Sequence, residues 1–261
     1  MGYRRTSDLG GALRGSSGAV IVSVGERLVR KVGDDRVAAQ GKYLRKLGGS
    51  HVPNVARVYH NGYDMERLND PSPLFSMSAE YLVDGYLEAL ENGIWGEPMV
   101  EMDHAEHLRK LTTITTASDV AMEDDYDTML AMYTDMVDWS SLSAIRTHGD
   151  PTFDNLMWRG SELVIIDPIP PTPAVPDLLV VDLGKIMQSL VGFECVRYGG
   201  KAPRDTERAR LMFKNRYDEN TWSAVVYWCA FHLYRAVPYM PSRDLAMRIR
   251  DLARWVHRDL L

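Results

Sequence analysis

Two short segments constrain this chain more than any other part of it: the run Thr147-His148-Gly149-Asp150-Pro151-Thr152-Phe153-Asp154-Asn155, and Val164-Ile165-Ile166-Asp167 just downstream. A carboxylate (Asp150) stands five positions before an amide (Asn155), and an apolar strand then ends in a second carboxylate (Asp167). A short hairpin between them would bring three oxygen-bearing side chains into one small volume. Hard oxygen donors of this kind suit Mg²⁺, and a carboxylate beside them suits the proton acceptor of a phosphoryl transfer. Taken singly, each residue is an ordinary turn, cap or loop residue. The combination points to phosphoryl-transfer chemistry, with His148 orienting the loop from behind.

The chain upstream is rich in strand signals. Val20, Ile21, Val22 and Val24 are β-branched, Gly25-Glu26 makes a tight turn, and Leu28-Val29-Arg30-Lys31-Val32 resumes the extended pattern. Asp34-Asp35 caps a helix that Gly48-Gly49 stops, and Asn61-Gly62 joins strands at residues 55–59 and 63–68. The first seventy residues therefore read as a five-stranded sheet with one helix. Pro71-Ser72-Pro73 punctuates the chain, and residues 78–147 read as helical throughout. Beyond the hairpin, helices resume near Asp182, a segment from Trp222 to Val237 is apolar almost all round, and an amphipathic helix closes the chain.

At 261 residues the chain is long enough for two lobes. It lacks the long uncharged run of a membrane span, and Arg4, Arg5, Asp8 and Arg14 interrupt any secretory signal, so the expectation is a soluble cytoplasmic protein. A net charge of −6 without a dense basic block disfavours nucleic acid as partner. Cys195 and Cys229 show no ligand spacing and read as buried reduced thiols.

His148-Gly149-Asp150 to Asn155, then Asp167, resembles the catalytic loop and metal aspartate of the aminoglycoside phosphotransferase, choline kinase and homoserine kinase superfamily, a relative of the protein kinases. The resemblance implies an α+β, bilobal protein kinase-like fold: an antiparallel-sheet N-lobe over residues 1–69, and a mostly helical C-lobe over 70–261 that contains the catalytic hairpin 147–167. It implies ATP and Mg²⁺ as cofactors and a small-molecule hydroxyl as acceptor. On it, Asp150 is the base, His148 its neighbour in the catalytic loop, and Asn155 and Asp167 the metal ligands. Lys31 and the loop Gly15-Ser16-Ser17-Gly18 hold the phosphates, and Met65, Glu66 and Leu68 form the hinge against the adenine, with Ser78-Ala79-Glu80-Tyr81-Leu82 as rival hinge. Asp182 braces the catalytic loop.

One departure stands out. Gln40 occupies the place where the family carries the glutamate that pairs with the lysine. Either a hydrogen bond replaces that ion pair, or another acid such as Glu66 or Asp34 serves. Gln40 also motivates one alternative, a nucleotide-binding pseudokinase or regulator with little catalysis; a nucleotidyl transferase on the same fold is a further alternative. His104 and His107, one helical turn apart, read as a solvated face more readily than as metal ligands. The acidic run Glu123-Asp124-Asp125 with Asp127 reads as a helix start, with attraction of an amine as the rival.

Overall fold

The computed structural model describes residues 13–14, 19–68, 77–116, 120, 123–199 and 203–261. The Gly15-Ser16-Ser17-Gly18 loop, the Pro71-Ser72-Pro73 stretch and the lobe boundary at 69/70 lie outside them. The β-branched run and its turn form β1 (Leu13–Arg14), β2 (Val20–Val24) and β3 (Leu28–Val32), paired antiparallel in sequence. Asp34 caps α1 (Asp35–Leu47), its side chain accepting from the Arg36 N–H, and β4 (Val55–Tyr59) and β5 (Gly62–Glu66) complete the sheet. The strand order is β1-β2-β3-β5-β4, so β5 lies beside the lysine strand β3 and pairs Lys31 with Tyr63 and Val29 with Met65. Residues directly opposite in an antiparallel pair share a face. Lys31, Tyr63, Val29 and Met65 thus line one face, while Arg30 bonds Asp64 at 2.6 Å on the other.

The remaining chain is mainly helical. It comprises α2 (Ala79–Gly93), α3 (His104–Thr116), α4 (Glu123–Ala131) continued by a π-helical turn, then the hairpin β6 (Leu156–Arg159) and β7 (Glu162–Ile165). After it come α5 (Leu179–Leu190), α6 (Phe193–Tyr198), α7 (Thr206–Lys214), α8 (Glu219–Ala236) and α9 (Arg243–Asp259). The expectation of helix throughout 78–147 holds only in part. Residues 94–103 and 142–152 contain no helix: Gly96, Pro98, Gly149 and Pro151 break the helical pattern, and Asp177 takes the N–H groups of Met99, Val100 and Thr147.

The core of this half is α5 against α8. Every residue of α5 from Val180 to Leu190 is buried, and α8 is buried from Trp222 to Tyr234. The two helices approach closely at Gly184, where a Cβ would lie 2.6 Å from the Cβ of Trp228. A helix buried on all sides must neutralise or satisfy whatever polar groups it carries. On α5 these include Asp182 and Lys185, and both face the catalytic loop.

Three sequence readings are corrected by the fold. His107 is fully buried, bonded at Nδ1 to the Ala174 carbonyl (2.7 Å) and at Nε2 to the Tyr227 hydroxyl (2.6 Å), so α3 does not present it to solvent. Asp125 is an internal anchor, not an amine attractor: it takes Arg250 at 2.7 Å and Arg254 at 2.6 Å from α9. Cys195 is half-buried, while Cys229 is buried, and both are free thiols.

Candidate active site

The loop 147–149 is hung by its backbone from two carboxylates. Asp177 accepts from the Thr147 N–H (2.9 Å) and hydroxyl (3.0 Å), and also from the Met99 and Val100 N–H groups. Asp182 accepts from His148 N–H (2.8 Å), Gly149 N–H (2.7 Å) and the Trp95 indole N–H (3.1 Å). Burial raises the Asp182 carboxyl to about 7, although these donors favour its charged form. Gly149 has φ +80, and a Cβ there would sit 2.1 Å from the Ile169 carbonyl oxygen. Only glycine turns the chain at that point without strain.

The turn presents Asp150. Its Oδ1 lies 2.9 Å from the ammonium of Lys185, and its Oδ2 accepts from the Asn155 amide at 3.0 Å. Burial pushes the Asp150 carboxyl up, but the nearby charges of Lys185 and Arg235 outweigh it and leave the group below the usual carboxylate range. Asp150 is therefore ionised at neutral pH. Burial pulls the Lys185 ammonium below its ordinary value, opposed by Asp150. Asn155 also donates to the Asp150 carbonyl at 2.8 Å, so its Nδ2 is fully committed and its amide oxygen takes no part in either bond.

His148 is wholly buried and neutral, its pKa lowered to about 4 by burial. Its Nδ1 accepts a long 3.4 Å contact from the Asp150 N–H, and its Nε2 has no hydrogen-bond partner among the described residues.

Across the hairpin, Asp167 has φ +56, one of two non-glycine residues with positive φ among those described. A left-handed aspartate costs of order 1–3 kcal/mol, and such strain concentrates at functional positions. The turn aims Oδ1 at the Lys31 ammonium, 2.7 Å away. Lys31 is only 2% exposed and also donates to Gln40 Oε1 at 3.2 Å. Gln40 thus stands beside the lysine as a neutral acceptor. Neither other acid takes its place, because Glu66 accepts from Arg159 and Asn54, and Asp34 is tied to Arg36. Met65 is buried at the end of β5. Ser78 is the N-cap of α2, which sets aside the rival hinge at 78–82.

The fit to a divalent cation can be read from the donors. One carboxylate (Asp167) and one amide oxygen (Asn155) are hard ligands suited to Mg²⁺, with phosphate oxygens and water left to complete a shell. No group of three or more His, Cys, Asp or Glu arranged for a metal occurs among the described residues.

No family model matches the chain, and no curated protein sequence matches it. Solved structures do. Choline kinase LicA from Streptococcus pneumoniae superposes with a TM-score of 0.61 at 12% identity, covering 94% of this chain and 91% of that one. A choline/ethanolamine kinase family protein from Mesorhizobium loti gives 0.55 at 12% identity over 97% and 90%. The GDP and kanamycin complex of APH(2")-IIia gives 0.57 at 11% identity over 98% and 97%. The chain shares the fold of these structures.

Within this kinase-like fold, Lys31, Gln40 and Asp167 meet at one point, and Asp150 and Asn155 meet at another. Met65 and Glu66 end β5, the strand that flanks the lysine strand, and Leu68 follows two residues beyond it. Asp177 and Lys185 are missed by the sequence reading as site residues. The signal for Lys185 was present: it follows Asp182 by three residues in an otherwise apolar helix, which puts both on one face. For Asp177 nothing local marks it, since its partners come from separate segments of the chain.

Proposed function

We propose that this protein is a Mg²⁺- and nucleoside triphosphate-dependent phosphotransferase that moves a γ-phosphoryl group to a hydroxyl of a small molecule, with ATP the nucleotide implied by the sequence resemblance. The reading assigns the nucleotide to the cleft between an N-lobe of residues 1–69 and a C-lobe of residues 70–261. The observation that carries it is the meeting of Lys31 with Asp167, a phosphate-binding cation and a metal-binding carboxylate from opposite halves of the chain, 2.7 Å apart.

In this reading Asp150 orients the acceptor hydroxyl and takes its proton as the oxygen bonds to phosphorus and the bridging oxygen leaves with the nucleoside diphosphate. Lys185 and Asn155 hold that carboxylate in place from two sides. His148 positions the Asp150 backbone and exchanges no proton. Lys31 neutralises phosphate oxygens, and Asn155 and Asp167 would hold Mg²⁺, which would supply the remaining charge neutralisation when bound. The structural neighbours include choline kinases and a kanamycin complex, which supports a small alcohol-bearing acceptor.

The test is a nucleotide-consumption screen, with both ATP and GTP, against a panel of amino alcohols, sugars and aminoglycosides, with Asp150→Asn as control. Mass spectrometry of products separates phosphoryl from nucleotidyl transfer. Gln40, neutral where an acid is usual, favours one second reading: a nucleotide-binding regulator. Mg²⁺-nucleotide binding with no product across the whole panel would establish that reading in place of the first.

A further inference from the structure

One cation near Asp150 has no side-chain hydrogen bond or ion pair among the described residues. Arg235 is the last residue but one of α8, where Trp228, His232 and Arg235 recur at helical spacing on one face. That face is applied to α5: Trp228 meets Gly184, and His232 Nε2 lies 3.3 Å from the Val181 carbonyl. α5 is the helix that holds the loop 148–150 through Asp182 and Lys185. The guanidinium is close enough to the Asp150 carboxylate for each to act on the other's charge, and it acts on the Lys185 ammonium as well. It also interacts with Tyr239, in the 3₁₀ turn Val237–Tyr239 that follows α8, and this exposed phenol interacts in turn with Arg36 at the start of α1. Neighbours thus run from Asp150 through Arg235 and Tyr239 to the helix that carries Gln40.

The other charges around Arg235 are matched. Asp150 is held by Lys185 at 2.9 Å, and Asp154 has Arg197 and the Tyr198 hydroxyl beside it. Glu194 accepts from the Ser189 hydroxyl at 2.5 Å, and burial raises its carboxyl to about 8, so it is uncharged at neutral pH. Arg235 is left over as a positive charge. It is half-buried, and none of its nitrogens is among the fully buried atoms that lack a partner, so the unpaired guanidinium is open to solvent. We infer that Arg235 binds an anionic group on the acceptor, so that the substrate is a hydroxy acid: an alcohol carrying a carboxylate or phosphate near the hydroxyl presented to Asp150. The inference rests on the phosphotransferase reading of this site. A guanidinium offers paired N–H groups that match either oxyanion. An ammonium alcohol in the same place would bring a third positive charge beside Lys185 and Arg235.

The experiment titrates protein saturated with Mg²⁺ and a non-hydrolysable nucleotide analogue, by calorimetry, with alcohols matched in skeleton. One set is glycerol, glycerate, glycerol phosphate and serinol; another is glucose, gluconate, glucose 6-phosphate and glucosamine. In at least one set an acid should bind about tenfold or more tighter than its neutral and amine counterparts, the worth of one charge-assisted contact. Which acid binds distinguishes carboxylate from phosphate. Arg235→Met and Arg235→Gln should each bring that ratio to within about threefold of unity while nucleotide affinity stays within about twofold of wild type. Arg235→Lys, which keeps the charge and the aliphatic stem if the other two fail to fold, should keep only part of the preference because it lacks the fork. Three results overturn the assignment and leave the phosphotransferase reading intact: no acid outbinding its neutral partner in any set, a preference that survives substitution undiminished, or a loss of nucleotide affinity as large as the loss of acid affinity. The last would make Arg235 a clamp on the nucleotide phosphates. Failure of the wild type to bind any Mg²⁺-nucleotide overturns both.

Discussion

The Lys31 ammonium and Asp167 carboxylate, separated by 136 residues in sequence, are in direct contact at 2.7 Å. The contact joins the middle of the sheet to the far end of the catalytic hairpin. It also explains how a lysine only 2% exposed is tolerated, because a buried charge needs a partner. Gln40 is a second acceptor at 3.2 Å, neutral and so weaker than a carboxylate would be. Gln40→Ala should leave the Lys31–Asp167 pair in place and weaken Mg²⁺-nucleotide binding only about two- to tenfold, the worth of one hydrogen bond. Lys31→Met should weaken it far more. Titration calorimetry on the two variants makes the comparison, and equal losses would mean that Gln40 does more than orient the lysine.

Asp150 is ionised and held by Lys185 and Asn155. Asp150→Asn preserves the shape and removes the proton acceptor. Turnover should fall about 10²–10⁴-fold while nucleotide affinity and the melting temperature stay near wild type. Undiminished turnover with a confirmed acceptor would remove Asp150 from the reaction.

Gly149→Ala places a methyl group 2.1 Å from the Ile169 carbonyl oxygen at φ +80. Left-handed strain and the clash together should destabilise the fold by about 2 kcal/mol or more. Urea unfolding reads this directly. The hydrogen bonds of the His148 and Gly149 N–H groups to Asp182 should weaken with it, visible as faster amide exchange at those two positions.

Acid should unfold this protein earlier than its carboxylates alone would require. Burial lowers the pKa of His107 to about 4, and that of His232 well below its ordinary value. In the unfolded chain each histidine takes up its proton near pH 6.5. Between there and about pH 4 the unfolded state therefore binds more protons than the folded state, so stability is complete above pH 6.5 and is lost as the pH falls through this window. The share of His107 is about 3 kcal/mol by this linkage. Urea midpoints measured from pH 7.5 down to 4.5 should fall steeply, and His107→Gln should flatten that slope. An unchanged slope would mean that His107 is protonated in the folded state.

The parts of this molecule legible in the sequence are those that local chemistry decides. The alternation and turn residues of 20–32 and 55–66 place the sheet strands within a residue or two, and Asp34 and Gly48 cap α1 as their residue types require. The hairpin from Asn155 to Asp167 is equally plain. Illegible were features whose reason lies across the fold. His107 looks like a surface residue until α8 covers it with Tyr227, Trp228 and Phe231. Asp125 looks like a helix-start acid until two arginines of α9 arrive. The stretch 94–103 carries the helix breakers Gly96 and Pro98, a signal the helical reading passed over, and its N–H groups at Met99 and Val100 bond Asp177.

The two attachments of α5 to the catalytic loop, Asp182 at the backbone and Lys185 at the side chain, lie three residues apart on a helix that is buried throughout. On the phosphotransferase reading proposed above, the base would take its coordinates from the deepest part of the molecule, and the surface around it could vary, along with the alcohol accepted, without moving it.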